Sequence, residues 1–215
     1  MKTWGGSRSR AGRKKIVGRR RVEHRTRERI AGWVPVHVNV HVVEGLPSLR
    51  RDVPRNAIEA AFAAGCERPG FRLVEYSIMT NHLHLVVEAE SAAALTRGMQ
   101  GLLVRIARRL NRALIRKGRV FADRYHSRVV GSTLDVKNTL AYVLGNARRH
   151  GIAFEGPVDP CSSAAWFRGW DEDVARPAHD PPVAKPRTWQ LVNGWQMHGR
   201  INPFAVPGGW KTRIS

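Results

Sequence analysis

The chain has 215 residues, and its 37 lysines and arginines outnumber its 17 acidic residues, which gives a net charge of +20. The length suits one domain with extensions, and a hydrophobic fraction of 42% is enough to form a core. A protein this basic requires a polyanionic partner, for which nucleic acid is the first candidate and a membrane surface the second. No run of about 18 apolar residues occurs, so a membrane span is not expected.

The N-terminus and the cysteines indicate a cytoplasmic protein. The N-terminus is basic but lacks the apolar segment that signal peptides contain. Cys66 and Cys161 are far apart in the sequence, which is typical of reduced thiols and not of a disulfide framework or a zinc site. We therefore expect a cytoplasmic location.

Residues 1–32 are predicted to form a flexible basic arm. Twelve basic residues stand here against Glu23 and Glu28, with almost no apolar periodicity. The segment is either a solubilising tail or a nucleic-acid-binding arm, and its charge density favours the arm. Its candidate DNA-binding residues are Arg13, Lys14, Lys15, Arg19, Arg20 and Arg21.

A first strand is predicted near residues 33–42, where apolar and polar residues alternate. The apolar face is formed by Val36, Val38, Val40 and Val42. The other face carries His37, Asn39 and His41. We interpret these polar residues as neighbours of a site, or as solvated, and not as ligands.

Apolar spacing and turn residues predict the remaining elements. Helices are expected over residues 52–66, 91–117 and 133–149, and strands over 71–79, over 81–90 and within 121–130. The order strand, helix, strand, strand, helix, strand is the split βαβ pattern. We therefore expect an α+β fold of the ferredoxin-like or RRM-like kind, with an antiparallel sheet, helices on one face and the other face open.

Residues 152–215 are predicted to form an irregular tail that follows a central domain of residues 33–151. Pro and Trp dominate the tail, which contains Trp166, Trp170, Trp189, Trp195 and Trp210. Tryptophans can stack on nucleic-acid bases. Packing of the tail on the core is the favoured interpretation.

His82 and His84 are separated by one residue on the predicted strand of residues 81–90. Side chains alternate between the faces of a strand, so the two imidazoles share a face. Two neutral imidazoles side by side can bind a divalent metal. Taken alone, such a pair on a strand is more often a half-exposed pair than a metal site. Residues further along the chain support the metal interpretation.

Tyr142 and Asn146 are four residues apart on the last predicted helix, so they share one of its faces. A phenol with a pKa of about 10 is a poor nucleophile, but it becomes useful where a metal polarises the phosphate that it attacks. Asn146 can offer a carbonyl oxygen to the same metal. In the alternative interpretation, Tyr142 packs on the sheet and Asn146 is a surface residue.

Several motifs of the chain together resemble a known family. Residues 79–87 (MTNHLHLVV) resemble the metal motif of the HUH single-tyrosine transposases. Residues 118–128 (GRVFADRYHSR) and 142–151 (YVLGNARRHG) resemble the last strand and the tyrosine helix of the REP-associated tyrosine transposase branch. Ala147 stands where that helix commonly has proline. A fourth segment, 158–163 (VDPCSS), resembles the one that follows the helix, so the resemblance spans about residues 33–166.

The resemblance implies a metal-dependent single-stranded DNA endonuclease and strand transferase. His82, His84 and Asn146 would bind Mg²⁺ or Mn²⁺, and the imidazoles favour Mn²⁺. Tyr142 would attack DNA to give a 5′-phosphotyrosine and a free 3′-OH. Tyr125 is the competing nucleophile, but it lacks an amide at helical spacing.

The implied partner is single-stranded or hairpin DNA, bound by a monomer or homodimer. Further candidate DNA-binding residues are Arg124, Arg128, Arg148 and Arg149. The alternative function is a non-catalytic regulator that binds a nucleic-acid hairpin on a ferredoxin-like sheet. An RNA-binding sheet of that kind carries stacking aromatic residues on its central strands, where this chain has His82 and His84.

Overall fold

The computed structural model describes residues 30–208. Residues 1–29 of the predicted arm lie outside this range, with its candidate DNA-binding residues Arg13, Lys14, Lys15, Arg19, Arg20 and Arg21, and so does Trp210. The last two residues of the predicted arm, residues 31 and 32, belong to the first strand instead. The described elements are β1 (Ala31–His41), α1 (Asp52–Ala63), β2 (Glu67–Arg68), β3 (Phe71–Ile78), β4 (His82–Ser91), α2 (Ala92–Ala113), β5 (His126–Val129), α3 (Thr133–Leu144), α4 (Asn146–Arg149) and α5 (Trp189–Val192).

The five strands form an antiparallel sheet in the order β2-β3-β4-β1-β5. β4 and β1 occupy the centre, and β2 extends the edge beside β3 by two residues. Without this short extension, the order is that of a split βαβ fold. The predicted α+β, ferredoxin-like class is therefore confirmed.

One face of the sheet packs against α1 and α2. Its centre consists of three cross-strand pairs, each residue at most 1% exposed: Val36–Val87, Val38–Leu85 and Val40–Leu83. The Ser91 hydroxyl caps α2 by accepting the Ala94 N–H at 3.1 Å. α2 approaches the sheet closely at Gly98, where a Cβ atom would lie 2.2 Å from the ring of Phe71.

The opposite face of the sheet is covered in part by α3. Val136, Leu140 and Val143 of α3 form a second apolar cluster with Val74 and Val86 of the sheet. The helices were expected on one face, where α1 and α2 do lie, whereas α3 packs on the face expected to be open. The reason is that Val74 and Val86 interrupt the polar side of their strands and give α3 an apolar surface to bury.

The tail, residues 152–208 of the described chain, packs on this same face. Its Trp170 and Trp195 are buried in the second apolar cluster, whereas Trp189 is 56% exposed. The tail is also held by a buried ion pair, in which Arg50 donates to both carboxylate oxygens of Asp159 at 2.7 and 2.8 Å.

A second polar anchor of the tail is the fully buried carboxylate of Glu88, in the middle of β4. It accepts the backbone N–H groups of Arg187 and Thr188 at 2.9 and 2.7 Å, and it pairs with Arg72 at 3.0 Å. A buried carboxylate is tolerated only when it is paired and hydrogen-bonded in this way. The sheet and the tail are therefore parts of one folded unit.

Among residues 30–208, no helix is both long enough and apolar enough to cross a membrane.

Replacing Glu88 tests this anchor. We expect Glu88→Gln to lower the free energy of unfolding by about 3 kcal/mol, because it leaves the buried Arg72 guanidinium with only the half-exposed Glu67 carboxylate as counter-charge. Urea denaturation at pH 7 measures the change. Limited proteolysis should also cut faster near residues 183–188, where the tail loses its attachment.

Glu67→Gln is the matched control, since Glu67 also pairs with Arg72, at 3.1 Å, and with Arg187 of the tail, at 3.0 Å, but its side chain is 47% exposed. It should cost less than about 1 kcal/mol, as exposed ion pairs do. Equal effects of the two substitutions would show that the buried carboxylate does not anchor the tail.

Candidate functional site: a histidine cluster beside Tyr142

Five histidine rings lie in contact on the face of the sheet that α3 covers: His37, His41, His82, His84 and His150. The register of β1 against β4 assembles four of them. His41 lies opposite His82, and Asn39 lies opposite His84. The shared face of His82 and His84 is therefore extended by the polar side of β1, as expected for neighbours of a site.

His82 and His84 direct the same ring nitrogen at each other. Their Nε2 atoms are 3.1 Å apart, and their rings are nearly perpendicular at 83°. Metal–nitrogen bonds are about 2.0–2.1 Å long, so two nitrogens at this separation can bind one ion. His84 is buried and His82 is half-buried, which leaves access from the His82 side.

Each of these two rings is held from behind by a second contact. His82 Nδ1 lies 2.8 Å from Asn81 Oδ1, and His84 Nδ1 lies 3.2 Å from His37 Nε2. Because an amide oxygen only accepts, the proton of His82 is on Nδ1, and its Nε2 has the lone pair. This is the tautomer that binds a metal through Nε2.

Burial keeps the central histidines neutral. It lowers the pKa of His82 to about 4, with the nearby His41 and His150 rings as smaller causes. It lowers the pKa of His84 to about 2, helped by the neighbouring imidazoles, and that of His37 to about 4, helped by the Arg128 guanidinium. At neutral pH each of the three rings is therefore uncharged and has one ring nitrogen with a lone pair.

Tyr142 is brought to this cluster by α3. The ring centroid of Tyr142 is 5.3 Å from that of His84 and 5.9 Å from that of His37, in both cases edge-on. Ser132 caps the start of α3, and its hydroxyl accepts the Asp135 N–H at 3.1 Å. Burial of Leu140 and Val143 fixes the rotation of α3 about its axis, so that Tyr142 points at the histidines.

Asn146 lies one turn beyond Tyr142 and is fully buried. Within the described residues, neither its amide oxygen nor its amide nitrogen has a hydrogen-bond partner. His150, a further turn on, contacts His82 with a centroid separation of 6.2 Å. Asn146 therefore lies between two residues that each reach one of the paired histidines. A buried unpaired amide costs about 1–3 kcal/mol, and a metal ligated by its oxygen would reduce that cost.

The predicted helix of residues 133–149 is interrupted at Gly145. α3 ends at Leu144 and α4 begins at Asn146. Gly145 packs against the tail, and a Cβ atom there would be 3.1 Å from Pro207 and 2.9 Å from the Ala141 carbonyl oxygen. The tail thus contacts the chain between the two predicted functional residues of this helix.

Tyr125 lies away from the histidines. It packs against the apolar core that contains α1 and α2. In β5, Ser127 and Val129 pair with Val38 and Val36 of that same face, which places Tyr125 on it by alternation. Of the two candidate nucleophiles, Tyr142 alone therefore lies on the face of His82 and His84.

The four described candidate DNA-binding arginines divide into two pairs. Arg128 donates to both carboxylate oxygens of Asp135, at 2.6 and 3.1 Å, and Arg148 donates to the carbonyls of Pro203, Gly156 and Pro157. These two guanidiniums join α3 and α4 to the sheet and the tail. Arg124 and Arg149 are exposed. The Arg149 guanidinium donates to the Pro207 carbonyl at 3.0 Å and lies 5.9 Å from the centre of the Tyr142 ring.

His150 belongs to the cluster but was not singled out from the sequence. Its spacing of four residues from Asn146 and eight from Tyr142 was the available signal. Within residues 30–208, no three His, Cys, Asp or Glu side chains are arranged to hold a metal by themselves.

The solved structures similar to this chain include the following two. A REP-associated tyrosine transposase bound to a REP hairpin is 16% identical, with a TM-score of 0.52 over 78% of this chain and 100% of its own. A protein described as a transposase from Deinococcus radiodurans R1 is also 16% identical, with a TM-score of 0.40 over 51% of this chain and 87% of its own. The first likeness shows a shared fold. No protein of curated function matches the chain.

The family model described as "Transposase IS200 like" matches residues 37–146, which is 110 of the 215 residues. The matched region begins at His37 and ends at Asn146, so it contains the paired histidines and Tyr142. The transposase resemblance of the motifs is thereby confirmed, and the chain belongs to the IS200-like transposase family.

Proposed function

We propose that this transposase-family protein is a metal-dependent endonuclease and strand transferase of single-stranded DNA, with Tyr142 as its nucleophile. The observation that carries the proposal is the contact of Tyr142 with His84, whose Nε2 faces the Nε2 of His82 at 3.1 Å. A phenol and two neutral imidazoles on one face are the parts that metal-assisted attack on a phosphodiester requires.

In the proposed reaction, the Tyr142 oxygen attacks the phosphorus atom as the phenol loses its proton. The bond between phosphorus and the 3′-oxygen breaks, and the leaving 3′-oxygen gains a proton through water in place of the one that the phenol released to water, which leaves a 5′-phosphotyrosine and a free 3′-OH. Attack by a 3′-OH on the phosphotyrosine reverses the step and joins strands without an external energy source.

The residues present fit a divalent ion. His82 and His84 supply two neutral nitrogens, and the unpartnered buried amide of Asn146 supplies an oxygen. When bound, Mg²⁺ or Mn²⁺ supplies Lewis-acid polarisation of the phosphate. Imidazole ligands suit Mn²⁺ better than Mg²⁺, which prefers oxygen. Edge-on packing against His37 and His84 restricts the Tyr142 ring and holds it at the site.

The proposed substrate is single-stranded DNA that folds into a hairpin. Phosphate contacts are assigned to the exposed Arg124 and Arg149 and to the basic residues of the arm. The net charge of +20 supports a polyanionic substrate. The structural neighbour of the same fold was solved with a REP hairpin, which supports a hairpin as the form to test first. Since α3 packs on the sheet of its own chain, one protomer contains both Tyr142 and the histidine pair.

The nucleophile is tested with two tyrosine variants. Tyr142→Phe should abolish both nicking of labelled hairpin DNA in Mn²⁺ and formation of a covalent protein–DNA adduct, because only the attacking oxygen is removed. Tyr125→Phe removes the same atom on the opposite face of the sheet and should retain both activities. Nicking by the Tyr142→Phe protein would reject this nucleophile, and binding without nicking by the unmodified protein would favour the non-catalytic regulator.

The histidine pair is tested with a matched pair of alanine variants. His82→Ala should reduce cleavage at least about 100-fold, because it removes a metal ligand. Its affinity for hairpin DNA should change by no more than about twofold, since phosphate contacts of Lys and Arg dominate binding. His41→Ala, which removes the cross-strand neighbour stacked on His82 at 4.8 Å, should cleave normally. Equal reductions in the two variants would contradict a specific role of His82.

The arm is tested by the salt dependence of binding. Deleting residues 1–29 removes twelve basic side chains. The log–log slope of affinity against salt should become shallower, by about 0.7 for each phosphate of single-stranded DNA that the arm neutralises. Fluorescence anisotropy with a labelled hairpin gives both slopes. An unchanged slope would mean that the arm does not bind DNA.

A further inference from the structure

We propose that His37 is a positioning residue for His84: its Nε2 accepts the Nδ1–H of His84 and thereby holds His84 in the tautomer that presents Nε2 to a metal. The proposal rests on the function proposed above, since it takes His84 to be a ligand. It gives β1 a part in the site, through a residue of the polar face that was expected only to neighbour the site or to be solvated.

The geometry of the contact is that of a hydrogen bond in the plane of both rings. The planes of His37 and His84 differ by 14°, and their centroids are 5.3 Å apart. Their nearest nitrogens are only 3.2 Å apart. Because the nitrogens are much closer than the ring centres, the rings meet edge to edge and not face to face, as a hydrogen bond between them requires.

The neighbours of His37 fix its place. It is paired across the sheet with Val86 on one side and with Arg128 on the other. The Tyr142 ring lies edge-on to it, with a centroid separation of 5.9 Å. His37 therefore contacts both the proposed ligand His84 and the proposed nucleophile, and it can set the position of one relative to the other.

The contacts among His37, His84 and His82 explain why residue 37 must be able both to donate and to accept a hydrogen bond. Without an ion, His37 Nε2–H can donate to His84 Nδ1, and His84 Nε2–H can donate to His82 Nε2. His82 can accept there because its own proton is on Nδ1, which faces Asn81. Ligation through His84 Nε2 requires that nitrogen to lose its proton. His84 Nδ1 then takes the proton of His37 Nε2, and His37 gains one on Nδ1, so the total charge of the rings is unchanged.

Titration of the full-length protein with MnCl₂, followed by isothermal calorimetry, tests the proposal. His37→Phe keeps a ring but removes the acceptor, and it should weaken Mn²⁺ binding about 10- to 100-fold, as loss of a hydrogen bond to a ligand histidine does. His37→Gln places an amide that can donate or accept near the former Nε2, so it should restore most of the affinity. His41→Phe, beside His82, is the control and should bind Mn²⁺ as the unmodified protein does.

Three results of the calorimetry would overturn the proposal. Unchanged Mn²⁺ affinity in His37→Phe would show that the contact does not matter, and equal weakening in His37→Gln would show that ring packing matters instead. Failure of the unmodified protein to bind Mn²⁺ would reject the metal site itself, and this inference with it. If His37→Phe does not fold, ¹⁵N NMR of the unmodified protein with Mg²⁺ decides: we expect a proton on His84 Nδ1 and none on His37 Nε2, and the reverse pattern contradicts the proposal.

Discussion

The antiparallel pairing of β1 with β4 determines where the functional side chains lie. Its register sets His41 against His82 and Asn39 against His84, while the intervening valines and leucines face α1 and α2. A shift of one residue would turn the histidines into the apolar core and expose the valines, at a large cost in buried apolar area. The hydrophobic core on one face therefore fixes the imidazole cluster on the other.

The second constraint is the covering of the histidine face by α3 and the tail. Val74 and Val86 form the apolar surface against which α3 packs. The ion pair between Arg128 and Asp135, at 2.6 Å, joins that helix to β5. Two buried carboxylates attach the tail to the rest of the fold. Glu88 of β4 accepts backbone N–H groups of the tail, and Asp159 of the tail pairs with Arg50. Burial of His84 beside Tyr142 of α3, and of His82 beside His150, lowers the pKa values of both imidazoles and keeps them neutral. Packing and site chemistry thus have one cause.

The sequence predicted most of this fold because the periods of its apolar residues are clear. The alternating valines before His41 predicted the strand β1, and the apolar stripe at helical spacing before Ala113 predicted the helix α2. The two-residue spacing of His82 and His84 predicted that both side chains lie on one face of their strand. Two features were not predictable from local pattern. The packing of α3 on the histidine face depends on contacts distant in sequence, and the break at Gly145 arises where Pro207 of the tail approaches. The uses of Arg128 and Arg148 within the protein are likewise tertiary and have no local signature.

The proposed chemistry requires that Tyr142, and not Tyr125, becomes joined to DNA beside the paired histidines. The decisive measurement is to trap the covalent adduct formed with hairpin DNA in Mn²⁺, digest it with protease and nuclease, and map the modified peptide by mass spectrometry. We expect a nucleotide attached through its 5′-phosphate to Tyr142. Attachment at Tyr125, or through a 3′-phosphate, would contradict the proposed mechanism.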